Sequence, residues 1–244
     1  MEKWMGIFGL FISIASFLLG IATTKWGRST IYDISRSLTR PLLGIRLMRM
    51  GIYDFFDSRD TLMRRKKGAR VIEYLRPAKQ EIGIIALSLN YSIVHQNLHE
   101  ELRALLKAKP RLTVYIFLLN PNSKAVEVIA STTMRSPDEL RAYINQSIEH
   151  LERMIVTFSE EEKARFHVCL HETYIANSIL VVDPYDKRGR ILVENYLYKI
   201  PIQERYSFEC RRPDSPMFRK VRMSYERFKE DYVDKNLIPD KKRE

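Results

Sequence analysis

The chain has 244 residues, with 41 lysines and arginines against 30 acidic residues. Apolar residues at 45% and charged residues at 29% sustain a packed core and exclude global disorder. Two cysteines, Cys169 and Cys210, exclude a disulfide framework, and a net charge of +11 points to anionic partners such as phospholipid, nucleic acid or phosphorylated small molecules.

The first predicted element is apolar. Trp4 to Thr24 holds no charge, and Lys3 and Lys25 bracket it. These 21 residues reach about 31 Å as a helix, the thickness of a bilayer's hydrocarbon core. Trp4 and Trp26 stand at the ends, where indole rings prefer the interface. A small-residue cleavage site is not evident, so residues 1–27 are expected to be an uncleaved anchor rather than a signal peptide. Lys25, Arg28, Arg36 and Arg40 follow the run closely. The positive-inside rule then puts the remainder in the cytoplasm, on a single-pass protein of the cell inner membrane. Gly6, Gly9, Ser13, Ser16, Gly20 and Thr23 form a heptad seam of small residues, which predicts association with a second copy.

Residues 28–60 read as a basic juxtamembrane segment. Arg28, Arg36, Arg40, Arg46 and Arg49 alternate with Leu38, Leu42, Leu43, Ile45, Leu47 and Met48 around Pro41. Two readings stay open: a stretch lying on anionic lipid, or short helices packed on a domain. Gly51 to Arg59 reads as a structured loop, and Arg64 to Lys67 as a basic run on a solvated helix face or near lipid head groups.

The domain proper is predicted over residues 61–235, with a charged tail at 236–244. Helical spacing over Thr61–Lys79 precedes a continuous apolar run, Glu81–Leu89, which predicts a buried strand. Asn90–Lys107 returns to helical spacing, and Leu112–Leu119 is a second buried strand closed by Asn120-Pro121-Asn122-Ser123. This is a βαβ unit with parallel strands. Ser136, Pro137 and Glu139 open a long helix with a capping box, and Leu140, Ile144, Ile148, Leu151, Ile155 and Phe158 mark its buried stripe. Three strands follow at 166–171, 177–183 and 190–198. A last helix starts at Ser215-Pro216 with Phe218, Val221, Tyr225, Phe228 and Tyr232 on one face. The expected fold is an α/β sandwich with a mixed sheet behind a transmembrane helix.

Open sheets of this kind bind ligands at the carboxyl ends of their strands. That rule nominates Ser88, Asn90, Asn120 and groups on the later strands. No phosphate-binding glycine loop, nucleophile elbow or dinucleotide fingerprint is present. His95 and His99 lie four apart but lack the companion residues of a zinc helix, and His167, Cys169, His171 and Cys210 lack metal-site spacing. No cofactor is expected.

The order of elements, the turn Leu118-Leu119-Asn120-Pro121, and Asp183 closing Ser178-Ile179-Leu180-Val181-Val182 resemble one half of the phospholipase D-like family. The resemblance covers about residues 71–232. It implies an H-x-K-x-x-x-x-D motif ending at Asp183, whose histidine and lysine positions carry Ala176 and Ser178. Alanine cannot attack phosphorus, and serine brings no positive charge. The resemblance therefore implies a degenerate domain, a binder rather than an enzyme. Its ligand is expected to be a phosphorylated small molecule, nucleotide-like, or a protein, with nucleic acid ranked below. Arg59, Ser88, Asn90, Asn120, His171, Asn177, Ser178, Asp183, Glu194, Tyr196 and Arg211 are the candidate binding residues. Arg59, Arg211 and Arg212 are the candidate replacements for the missing cation. Signalling through an oligomeric anchor, by analogy with membrane effectors of stress or phage defence, is the expected role. The competing expectation is a membrane-tethered phosphodiesterase, a nuclease or phospholipase, using His171.

Overall fold

Seven strands make one mixed sheet, and their register explains where the helices sit. The structure, a computed structural model, describes residues 43–58, 62, 74–89 and 98–235. The apolar run Trp4–Thr24 with its seam, Arg59, the basic run at 64–67, Asn90, His95 and the tail at 236–244 lie outside the described residues. Among the described residues no helix is long and apolar enough to cross a membrane. The chain divides into two units, Met1–Arg49 and Met50–Glu244. In the first, the described part is helical from residue 43.

In the second unit the elements run β1 (Ile52–Phe56), β2 (Glu81–Ala86), α1 (Leu98–Ala108), β3 (Thr113–Leu119), α2 (Ala125–Thr132), α3 (Pro137–Val156) and α4 (Glu160–Lys163). Then come β4 (Phe166–His171), β5 (Asn177–Val182), β6 (Arg190–Asn195), β7 (Ser207–Arg211) and α5 (Pro216–Tyr232). The sheet order is β1-β7-β6-β5-β2-β3-β4. Strands β2, β3 and β4 are parallel, as the βαβ pattern requires, and the other pairings are antiparallel.

Alternation along the strands separates two cores. Ile82, Ile84, Val114, Ile116, Val168, Leu180 and Val182 meet Leu98, Leu102 and Leu106 of α1 and Leu151 and Met154 of α3. Ile85, Phe117, Cys169, Val181, Ile191 and Val193 turn the other way and meet Phe218, Tyr225 and Tyr232 of α5. The stripe expected on the last helix is thus its buried face. A third cluster at the carboxyl edge joins Leu87 and Leu119 to Val126, Ile129, Leu140 and Ile144 of α2 and α3. The capping box at Ser136 forms: its hydroxyl accepts from Glu139 N, and Ser136 N donates to the Glu139 carboxylate at 2.8 Å.

Four elements depart from expectation, among them the short helix α4. Residues 52–56, read as a loop in a juxtamembrane segment, form β1 and pair with β7. Strand β7 and helix α2 were not anticipated. The first follows from the second: β1 has a place in the sheet only because β7 supplies its partner.

Candidate functional site

The parallel strands define two edges, and the candidate residues divide between them. At the carboxyl edge lie Ser88, Asn120, His171, Asn177, Ser178, Glu194 and Tyr196. Asn177 faces Asn195 and Ser178 faces Glu194 across β5 and β6. Asp183 and Arg211 lie at the opposite edge: Asp183 follows Val182, which pairs with Ile82 and Arg190, and Arg190 pairs with Arg211. These two are not brought to the carboxyl-edge residues.

Their partners give both a structural task. The Asp183 carboxylate accepts from the backbone N–H groups of Lys79, Gln80 and Glu81 at 2.8, 2.8 and 2.9 Å. It anchors the start of β2. Arg211 donates through Nε to Oε1 of the buried Glu209 at 2.9 Å, and its guanidinium lies 3.8 Å from the Tyr53 ring centre. It ties β7 to the edge strand.

At the carboxyl edge a cavity of about 210 Å³ opens between the α2–α3 turn and the β6–β7 connection. Ser88, Glu194, Tyr196, Arg135, Gln203 and Arg205 line it, with Leu140 as apolar wall. The two loops are joined by one backbone bond, Lys199 N to Thr132 O at 2.8 Å. Arg205 is only 7% exposed and lies 4.9 Å from the centre of the Tyr196 ring. Burial, then the neighbouring Glu194 carboxylate, pushes the Tyr196 hydroxyl up to about 12, so it stays protonated at neutral pH. Ser178, the Arg205 guanidinium and the backbone at Leu87 act in the opposite direction. The cavity therefore combines a buried cation, a carboxylate and neutral hydrogen-bonding groups. No protein-family model matches the chain, and no curated protein matches its sequence.

Arg205 went unnoticed in the sequence because β7 did. The signal was present: Ser207, Glu209 and Arg211 alternate with Phe208 and Cys210, a period-two strand that starts two residues after Arg205. Gln203 and Arg135 gave none.

Asn120 and His171 reach the edge without entering the cavity. Asn120 Oδ1 accepts from Asn122 N at 2.9 Å, and Asn120 N donates to His171 O at 2.7 Å. These bonds hold the turn after β3. His171 faces α5, its ring 5.0 Å from that of Phe228 and 6.1 Å from that of Tyr232, with no exposed surface. Its Nδ1 donates to Thr173 O at 3.1 Å. Cys169 and Cys210 share the α5 core, and burial pushes both thiols up to about 12. Among the described residues no three metal-ligating side chains converge.

Burial lowers the His171 imidazole to about 4. This sets a pH dependence of stability. Above about 6.5 the ring is neutral folded and unfolded. As pH falls from there toward 4, the unfolded chain takes up a proton that the folded one refuses. Stability is lost by up to about 1.4 kcal/mol per pH unit, on the order of 3 kcal/mol in all. Urea denaturation followed by circular dichroism at pH 7, 6 and 5 is expected to show this loss, and His171→Asn should flatten it. Equal slopes in both proteins would mean that the ring protonates in place.

Proposed function

We propose that residues 61–235, with β1, form a degenerate phospholipase D-like module that binds a small phosphate-bearing ligand at the carboxyl edge. The signal passes to an N-terminal membrane anchor that associates with a second copy. The observation that carries the ligand class is Arg205, a guanidinium withdrawn from solvent beside a cavity. A buried guanidinium pairs well with phosphate through two parallel hydrogen bonds. Ser178, at the family's lysine position, neighbours the Tyr196 hydroxyl, and Arg205 lies over the ring of Tyr196. The positive charge missing from the motif thus stands one side chain away. This moves the cation from Arg211, the sequence candidate, to Arg205, with Arg135 in the cavity wall as a second.

Asp183 supports the same reading. Its carboxylate serves three backbone donors, so it can persist where the histidine and lysine positions carry Ala176 and Ser178. The cavity volume of about 210 Å³ is below the roughly 300–1,000 Å³ of drug-sized ligand sites. The ligand, or the part held there, is a phosphoryl group with a small body. A phosphodiesterase acting through His171 would need substrate to reach a ring sealed behind Phe228 and Tyr232, so that alternative gains no support.

Native mass spectrometry of the detergent-solubilised full chain tests for a co-purifying ligand. Calorimetric titration with inorganic phosphate and AMP then tests the residue. Arg205→Ala is expected to weaken binding by about 10- to 100-fold, the worth of a charged hydrogen-bonded contact. Arg211→Ala, at the other edge, should leave binding unchanged. Equal losses in the two variants, or no binding by the native chain, would defeat the proposal.

A further inference from the structure

The helical segment 43–50 carries exposed apolar side chains. Leu43, Ile45, Met48 and Met50 are 57, 45, 46 and 42% exposed. A helix that is part of a packed core buries one stripe and leaves the rest to water. Here four apolar residues are exposed together with the arginines, and Leu47 is half-buried. At 100° per residue, Leu43, Leu47 and Met50 lie within about 60° of one another with Met48 about 100° beyond Leu47, while Arg46 and Arg49, both exposed, lie about 60° apart on the other side, with Ile45 about 40° from Arg49. From residue 34 to residue 53 the chain carries Arg36, Arg40, Arg46 and Arg49 and no acidic residue.

We propose that this helix lies in the interface of an anionic phospholipid leaflet, with Leu43, Leu47 and Met48 among the acyl chains and Arg46 and Arg49 at the phosphates. The charge chooses the occupant. A second copy would bring the same four arginines against these and repel them, whereas an anionic surface attracts them. The chain length agrees: 18 residues, 25–42, separate the end of the uncharged run from the helix, enough to return to the surface beside an anchor. The inference rests on the anchor reading above, and for residues 43–50 it takes the first of the two readings that the sequence left open. Lysine and arginine near a negative surface each contribute on the order of 1 kcal/mol, so the pair Arg46 and Arg49 shifts the docking equilibrium by about 30-fold.

The test is spin labelling of single introduced cysteines in the full chain. Cys169 and Cys210 are fully buried with raised thiols and stay unlabelled. Leu47→Cys, Arg49→Cys and Ser13→Cys are reconstituted in vesicles of phosphatidylcholine, with and without phosphatidylglycerol. Accessibility to oxygen, which partitions into lipid, is compared with accessibility to a water-soluble nickel complex. With phosphatidylglycerol, the Leu47→Cys label is expected to favour oxygen and the Arg49→Cys label to favour nickel. In phosphatidylcholine alone the Leu47→Cys label should turn toward nickel, by up to about 30-fold in population. A Leu47→Cys label open to nickel in both vesicles would overturn the proposal. So would one shielded from both reagents, which is a protein contact, a second copy included. The Ser13→Cys label reports the anchor separately: nickel access there removes the anchor reading, while Leu47→Cys still judges the helix.

Discussion

Replacing Asp183 with alanine is expected to lower stability by about 4 kcal/mol, the largest loss from any one side chain named here. Three backbone donors at the start of β2 end on that carboxylate. A hydrogen bond to a charged group contributes on the order of 1.5–3 kcal/mol, and three sharing one acceptor fall short of their sum. Alanine also inherits φ of +46°. That left-handed conformation suits aspartate or asparagine and costs alanine about 1 kcal/mol. Asp183→Asn tolerates the backbone and keeps one acceptor oxygen, but it points an amide donor at another donor. It is expected to cost about half as much. Far-UV circular dichroism in urea is the suitable readout, because Trp4 and Trp26, the two tryptophans, lie outside the domain. A loss below about 1 kcal/mol for Asp183→Ala would mean that water replaces the carboxylate without penalty.

The same residue shows why the site was only half legible in the sequence. Counting from Asp183 back to Ser178 and Ala176 identifies motif positions, but five residues of strand rise about 17 Å. The aspartate therefore ends at the far edge of the sheet from Ser178. Glu194 and Tyr196 were found because the carboxyl-edge rule applies to β6, once its antiparallel pairing with β5 is read from the turn at Asp186–Gly189. Arg205 depended on β7, whose five residues follow an irregular stretch containing Pro201. The βαβ unit was readable because its strands, buried on both faces, are continuous apolar runs. Helix α2 was not. Its eight residues, Ala125–Thr132, include four β-branched side chains, and Lys124 offers no side-chain cap. It is held by Val126 and Ile129 in the third core cluster, a tertiary contact that local sequence does not announce.

Gly83 carries the other large expected effect, because β2 passes directly over Tyr225. A Cβ at residue 83 would stand 2.4 Å from Tyr225 Cε2 and 2.5 Å from both Cζ and the hydroxyl oxygen. The ring has no room to give. It is fully buried, edge-on to Phe117 at 6.5 Å between centres, and its hydroxyl donates to Glu81 Oε1 at 2.8 Å. Lys229 Nζ holds the second oxygen of Glu81 at 2.9 Å. Gly83→Ala must therefore move α5 or break that network. Overpacking of this kind costs about 1–3 kcal/mol, and a lost bond to a carboxylate adds to it, so about 3 kcal/mol is expected. Tyr225→Leu alone leaves a cavity and should cost a similar amount. In the double variant the methyl enters the space the ring leaves. The two losses should then fall short of their sum by about 2 kcal/mol, a coupling that urea denaturation of the four proteins measures. Strict additivity, or a cost below about 1 kcal/mol for Gly83→Ala, would show that α5 slides on the sheet and that Tyr225 does not fix its position.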